Sequence, residues 1–239
     1  MIDELKRRVC QANLDLVREG LVVHTFGNVS GIDRARGLVV IKPSGVPYAE
    51  MTPASMVTVS LETGRVLDSG LRPSSDTPTH LELYRAFSAV GGVVHTHSLH
   101  ATAWAQAVAE IPVLGTTHAD YFDGAVPCTR LMDAEEIRHG YEANTGRVIV
   151  ERFRGIEPLK RPAVLVANHG PFAWGATPEE AVHAASILEF LARLASETVR
   201  ISPGAPPIAA ELHEKHFSRK HGPSAYYGQR QPLPPRPGP

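Results

Sequence analysis

Short aliphatic and β-branched runs cut by glycine constrain this chain more than any other feature. Residues 21–24, 38–42 and 56–61 are of this kind, with Gly31, Gly37, Gly45 and Gly64 placed as turns between and after them. Residues 93–97 and 164–167 are shorter apolar runs bounded by Gly or Pro, the mark of central strands covered on both faces. Helical patterns alternate with these runs. Asp3 followed by Leu5, Val9, Leu14 and Val17, and stopped by Gly20, reads as a capped amphipathic helix. Thr177-Pro-Glu-Glu180 opens a second one, with Thr177 as cap, Pro178 at the first helical position and Glu180 able to reach back; Val182, Ile187, Leu188, Leu191 and Leu194 continue it at helical spacing. Such alternation predicts an α/β fold and, taken alone, a parallel sheet.

A chain of 239 residues with 43% apolar side chains suits one ordinary domain with a real core. No internal repeat or second core appears, so residues 1–229 read as a single catalytic domain. The last ten, 230–239, carry five prolines and read as an extended or disordered tail. With 24 Lys and Arg against 25 Asp and Glu, the net charge of −1 argues against nucleic acid or an anionic membrane as partner. No apolar stretch has secretory or transmembrane length, so the expectation is a cytoplasmic protein. Two cysteines, Cys10 and Cys128, are too few and too far apart for a disulfide framework and read as small buried residues.

Histidine is the residue in excess, at 12. His95-Thr-His97 ends a strand-like run, where the two-residue period sends both imidazoles to one face. His169 follows another buried run, at a strand end where α/β proteins place their sites. Three imidazoles and an open position are what a catalytic zinc requires; surface or packed histidines are the other reading of the pair. Asp76 suits a fourth ligand, a group orienting one, or a helix cap before Thr77-Pro78. Gly27-Asn28 and Lys42-Pro-Ser-Gly45, the latter with Ser44, suit either plain turns or an anion cradle, and Ser74-Ser75 adds hydroxyls. Asp120 stands among apolar neighbours in Thr116-Thr-His-Ala-Asp120-Tyr-Phe. Desolvation there raises a carboxyl toward the range useful in proton transfer, whereas a solvated loop leaves it ordinary. Around His216, Arg219 and Tyr227, polar and aromatic groups gather near a terminus, either to dock on a neighbouring subunit or as surface packing.

Seven blocks in order then carry a resemblance: Thr25-Phe-Gly-Asn-Val-Ser30, Ile41-Lys-Pro-Ser-Gly45, Pro73-Ser-Ser-Asp-Thr-Pro-Thr-His80, Val94-His-Thr-His97, Gly115-Thr-Thr-His-Ala-Asp-Tyr121, Asn168-His-Gly-Pro-Phe-Ala-Trp-Gly175 and Ala225-Tyr-Tyr-Gly-Gln229. The chain resembles the class II aldolase and epimerase family. That resemblance implies a three-layer α/β/α sandwich around a largely antiparallel sheet, in place of the parallel one. It also implies a cyclic homotetramer with sites at subunit interfaces, and a Zn2+ per subunit, or another divalent cation such as Mn2+, on His95, His97 and His169 with Asp76 beside it. Gly27, Asn28, Lys42, Ser44, Gly45, Ser74 and Ser75 match positions that hold a sugar phosphate. Asp120 and Tyr227 match an acid/base pair, Tyr227 reaching across from the adjacent subunit with His216 and Arg219 nearby.

The activity implied is inversion at C4 of a ketopentose phosphate, between L-ribulose 5-phosphate and D-xylulose 5-phosphate, by C3–C4 cleavage and re-addition. Arabinose and ascorbate breakdown both suit it. The aldolases of the family, of the fuculose-phosphate type, usually carry Glu where Asp76 stands, although Ala167-Asn168 resembles them as much as the epimerases. The non-catalytic adducin head resembles an enzyme shorn of its ligands, and here all three histidines and Asp120 are kept.

Overall fold

A computed structural model describes residues 2–68, 70–223 and 225–227. Six strands form one sheet: β1 (Asn28–Asp33), β2 (Leu38–Ile41), β3 (Val57–Ser60), β4 (Gly92–His95), β5 (Ala163–Val166) and β6 (Gly170–Gly175). Their order is β3-β2-β1-β4-β6-β5, and every neighbouring pair is antiparallel. The antiparallel sheet implied by the family stands, and the parallel one does not. Only residues 34–37 join β1 to β2 and only residues 167–169 join β5 to β6. A parallel crossover needs a dozen residues or more.

Alternation along the strands feeds two cores. One face of the sheet sends Val29, Val94, Leu165 and Ala173 against α1 (Ile2–Arg18), α3 (Leu99–Gln106) and α7 (Pro178–Ile201). The other sends Val39, Ile41, Val93, Val164, Phe172 and Trp174 against α2 (Thr77–Ala86) and α6 (Tyr141–Arg152). Those are the three layers. Of the remaining helices, α8 (Ala210–His221) packs on α4 (Thr116–Ala119), and α5 (Ala134–Arg138) packs on α6. Among the described residues no helix is long and apolar enough to cross a membrane.

Local sequence explains most element ends. Thr177 Oγ accepts the Glu180 N–H at 3.2 Å, and the Glu180 carboxylate reaches back to the Ala176 N–H at 2.9 Å, one residue beyond the expected reciprocal bond. Asp3 lies inside the first turn of α1 and is not its cap. Three readings are corrected at the first strands. Residues 21–24 are loop; Asn28 opens β1 and does not occupy a turn; Gly31 lies within β1.

The reason for Gly31 is packing. It pairs with Gly92, which pairs with Gly175, so three glycines lie in register across β1, β4 and β6. A Cβ at Gly31 would stand 2.8 Å from Pro178 Cγ, at Gly92 2.5 Å from Pro178 Cα, and at Gly175 2.5 Å from Glu180 Cβ. The start of α7 lies directly on the sheet there, and a side chain would displace it. Beyond residue 227 the proline-rich segment 230–239 falls outside the described residues.

Candidate metal centre and active site

His95 is the last residue of β4, His97 lies in the loop that follows, and His169 sits in the hairpin turn from β5 to β6. The strand therefore ends two residues earlier than expected, yet the imidazoles converge. Ring centroids are 4.9 Å apart for His95–His97, 4.7 Å for His95–His169 and 5.1 Å for His97–His169. One ligand atom from each lies within 4.8 Å of the others. His95 and His97 face each other through Nε2 at 3.1 Å, and His95 Nδ1 donates to the Pro171 carbonyl at 2.9 Å. That second bond fixes the proton on Nδ1 and leaves Nε2 with its lone pair.

The backbone is shaped for this convergence. Asn168 takes φ 58°, turning the hairpin so that His169 faces β4. A Cβ at Gly170 would come within 3.0 Å of the Thr96 carbonyl and 3.6 Å of the His95 and His97 rings. Phe172 stacks on His95 at 4.2 Å with planes 17° apart. Burial pushes the His95 and His169 imidazoles down, His169 to about 4, so both are neutral ligands near pH 7. Three imidazole nitrogens converging beside an open cavity fit a divalent cation of the zinc type.

These rings form one wall of a cavity of about 470 Å³ whose lining also includes Gly27, Asn28, Lys42, Ser44, Gly45, Ser74, Ser75 and Asp76. Every residue expected to hold metal or phosphate is thus gathered in one place. A short bridge explains how. Pro43 pairs with Pro73, Ser44 N–H bonds the Arg72 carbonyl at 2.8 Å and Ser74 N–H bonds the Lys42 carbonyl at 2.9 Å, so the two hydroxyl-bearing turns lie side by side. Gly27, at φ 79°, allows the chain to pass 3.0 Å from the His95 carbonyl, measured from where its Cβ would be. Lys42 is buried, its ammonium 3.3 Å from the Thr25 carbonyl and 5.0 Å from the Tyr48 ring centroid, and burial pushes it down against the pull of Asp76. Asn28 donates to Asp76 Oδ2 at 2.6 Å and to Ser74 Oγ at 3.1 Å, while its buried carbonyl oxygen has no partner among the described residues. An orphaned acceptor in such a cavity is an unmet demand for a donor.

Asp76 stands at the cap position of α2 but makes no capping hydrogen bond. Its carboxylate faces the cavity and lies outside the three-histidine group of ligand atoms. Burial pushes it up, but His95, His80, the Asn28 amide and His169 together hold it below the usual carboxylate range. Behind it, the buried His80 Nδ1 lies 2.7 Å from Ser30 Oγ, which lies 2.8 Å from the Tyr84 hydroxyl.

Asp120, His216, Arg219 and Tyr227 form a second cluster, and none of them lines this cavity. Asp120, at the end of α4, accepts from Arg219 Nη2 at 2.9 Å and Nε at 3.1 Å, and from His216 Nδ1 at 3.1 Å, both residues standing on α8. The Arg219 guanidinium lies 4.2 Å from the Tyr227 ring centroid. Expectation and structure differ on the carboxyl's charge. Burial raises it, as the sequence suggested, but Arg219 and His216 outweigh burial and hold Asp120 below the ordinary range. Two lining residues, Tyr141 and Glu142, escaped the sequence reading, because they open a helix whose start carries no motif.

Residues 7–196 match the family described as the class II aldolase and adducin N-terminal domain. This chain belongs to that family. Members of the class II aldolase family depend on a divalent metal, which agrees with the histidine cluster. Among curated relatives, the L-ribulose-5-phosphate 4-epimerases UlaF of Salmonella paratyphi A and Salmonella typhi are each 56% identical over 229 residues, covering 96% of this chain and 100% of theirs. Among solved structures, an L-fuculose 1-phosphate aldolase superposes with TM-score 0.76 at 23% identity, covering 90% of this chain and 95% of its own. The l-fuculose-1-phosphate aldolase from Thermus thermophilus gives 0.65 at 25% identity, over 86% and 100%. The sandwich is therefore that of the class II aldolases.

Proposed function

We propose that this enzyme is a sugar-phosphate 4-epimerase, an isomerase interconverting L-ribulose 5-phosphate and D-xylulose 5-phosphate. Full-length identity of 56% to relatives named for that epimerase carries the reading, and the cavity supplies the chemistry it needs. His95, His97 and His169 hold the cation, zinc for preference among such ligands, with Asp76 alongside. Once bound, that cation supplies Lewis acidity to the substrate's carbonyl and neighbouring hydroxyl oxygens. Lys42, Ser44, Ser74, Ser75 and the Gly27 and Gly45 turns grip the phosphate, and the Asn28 carbonyl oxygen accepts a substrate hydroxyl.

The hydrogen at C4 is too weakly acidic to be removed directly, so the C3–C4 bond breaks instead. As it breaks, the C4 hydroxyl proton passes to a base and C4 becomes an aldehyde, while the bonding pair stays with the three-carbon fragment. The phosphate grip retains the two-carbon aldehyde, which turns and presents its other face. When the bond re-forms, a second group returns the proton from the opposite side. Asp120, ionised by its partners, and Tyr227 are the pair for this work. Asp120 is bonded to Arg219 and His216, and Arg219 lies on Tyr227, so the cluster is held together as one group. A neighbouring copy brings it to the cavity in a cyclic tetramer with sites at the interfaces.

The test is to incubate zinc-loaded protein with L-ribulose 5-phosphate and identify the products. D-xylulose 5-phosphate is expected. Free dihydroxyacetone as main product would make the enzyme an aldolase, and no turnover would refute the epimerase reading.

A further inference from the structure

Tyr141 is the first residue of α6 and is placed by an unusual backbone. Gly140, at φ 88°, brings the chain into the helix from the left-handed region. The first turn is then pinned. Thr79 Oγ donates to the Glu142 carbonyl at 2.6 Å, tying α6 to α2, and Thr145 Oγ donates to the Tyr141 carbonyl at 2.9 Å. From this anchored position the phenol lines the cavity, its hydroxyl oxygen 3.3 Å from His169 Nδ1 and its ring centroid 5.9 Å from that of His169.

Which atom donates follows from what His169 has to do. A neutral imidazole carries one N–H, and a ring that presents one nitrogen to a cation keeps the proton on the other. Tyr141 occupies Nδ1, so Nε2 is the nitrogen left to face a cation, as in His95, where the Pro171 carbonyl occupies Nδ1. His169 Nδ1–H is then the donor, and the phenol oxygen the acceptor. A phenol that accepts has its own O–H still to place. The Thr145 hydroxyl also lies beside the phenol, but it donates to the Tyr141 carbonyl, and the cavity that the phenol lines gives its O–H a direction in which to donate.

We infer that Tyr141 serves the site twice: its oxygen orients His169 by accepting the Nδ1–H, and its O–H donates to an oxygen of the bound sugar. The first role is that of a positioning residue; the second makes direct substrate contact. Lys42 and the serines serve the anionic end of a sugar phosphate, whereas a neutral phenol beside the histidines suits an uncharged hydroxyl or carbonyl oxygen. The substrate half of this inference rests on the epimerase reading. The metal half does not.

Tyr141→Phe separates the roles from folding, since it keeps the ring and deletes only the hydroxyl. Zinc affinity, measured by competition with a chromogenic chelator, is expected to fall about 10- to 100-fold, the usual consequence of removing a ligand's hydrogen-bond partner. At saturating zinc, KM for L-ribulose 5-phosphate is expected to rise about tenfold, the loss of one hydrogen bond, with a smaller change in kcat. The urea midpoint of the zinc-free variant should match that of the parent; a split between KM and kcat is not what a packing defect produces. Unchanged zinc affinity would overturn the orienting role, and an unchanged KM would overturn the substrate contact. Failure of the epimerase reading shows separately, as a zinc-loaded parent protein that does not turn the substrate over, and the chelator competition then still decides the orienting role.

Discussion

His95 meets two demands that oppose each other. It is wholly buried, stacked on Phe172, and must still keep a lone pair free for a ligand. Burial satisfies the first by keeping the ring neutral, and the bond to the Pro171 carbonyl satisfies the second by holding the proton on Nδ1. His97 is the more exposed partner at the same point, so substitution there tests the centre with little cost in packing. His97→Asn is expected to lower bound zinc and turnover together, measured by metal analysis after dialysis and by product formation. Full zinc occupancy in that variant would remove His97 from the ligand set. Tyr227→Phe should behave oppositely, losing roughly 100-fold or more in turnover, within the range assigned to general acid–base groups, while keeping its zinc. The three histidines were legible because two share a strand period and the third precedes Gly-Pro after an apolar run. Tyr141 was not, since nothing local marks the first residue of α6 as facing a histidine 28 positions away.

At the scale of elements, the row Gly31, Gly92, Gly175 joins sheet and helix. It lets the first turn of α7 rest on β1, β4 and β6 at backbone distance, and β4 carries His95 at its other end. Gly92→Ala puts a methyl 2.5 Å from Pro178 Cα and the Thr177 carbonyl oxygen, backbone atoms that cannot rotate away. A loss of about 1–3 kcal/mol or more is expected, the scale of overpacking in a well-filled core, read as a lower urea midpoint. A variant as stable as the parent would show that α7 moves freely on the sheet. Such a row is hard to see in a sequence. A glycine that permits close approach looks the same as one that makes a turn, and Gly31 reads as a turn for that reason. The strands that were found, β2 through β5, are dense in β-branched residues. β6, with Gly170, Pro171, Gly175 and two aromatics, has no such signal and owes its place to pairing with β4 and β5.

Across the whole molecule, every residue the sequence offered for metal or phosphate lines one cavity, but the sequence left open that Asp120 and its partners form a separate cluster, because which helices pack together at the chain's end is a long-range outcome. The buried histidines also give the molecule a collective property. Burial drives His80 down to about 3 and His118 and His169 to about 4, and lowers His95 as well. In the unfolded chain each returns to about 6.5. Between about pH 6.5 and 4 the unfolded state therefore binds more protons than the folded one, and stability rises with pH. The stability tied to these rings is fully present above about 6.5 and is lost as pH falls toward their folded values. For His118 alone, a shift of that size corresponds to about 3 kcal/mol in order of magnitude. Paired carboxylates such as Glu179, held at about 2 by Arg8, act in the same direction but only below about pH 4.3. The window from about 6.5 to 4.5 thus belongs to the histidines. Urea unfolding of the chelator-treated protein across that window should show stability falling by up to about 1.4 kcal/mol per pH unit for each ring that titrates. His118 bonds the Gly124 carbonyl through Nε2 at 3.0 Å, a bond that a glutamine amide can replace without titrating. His118→Gln should therefore make the slope shallower by one ring's share, and an unchanged slope would mean that His118 is not held neutral in the folded state.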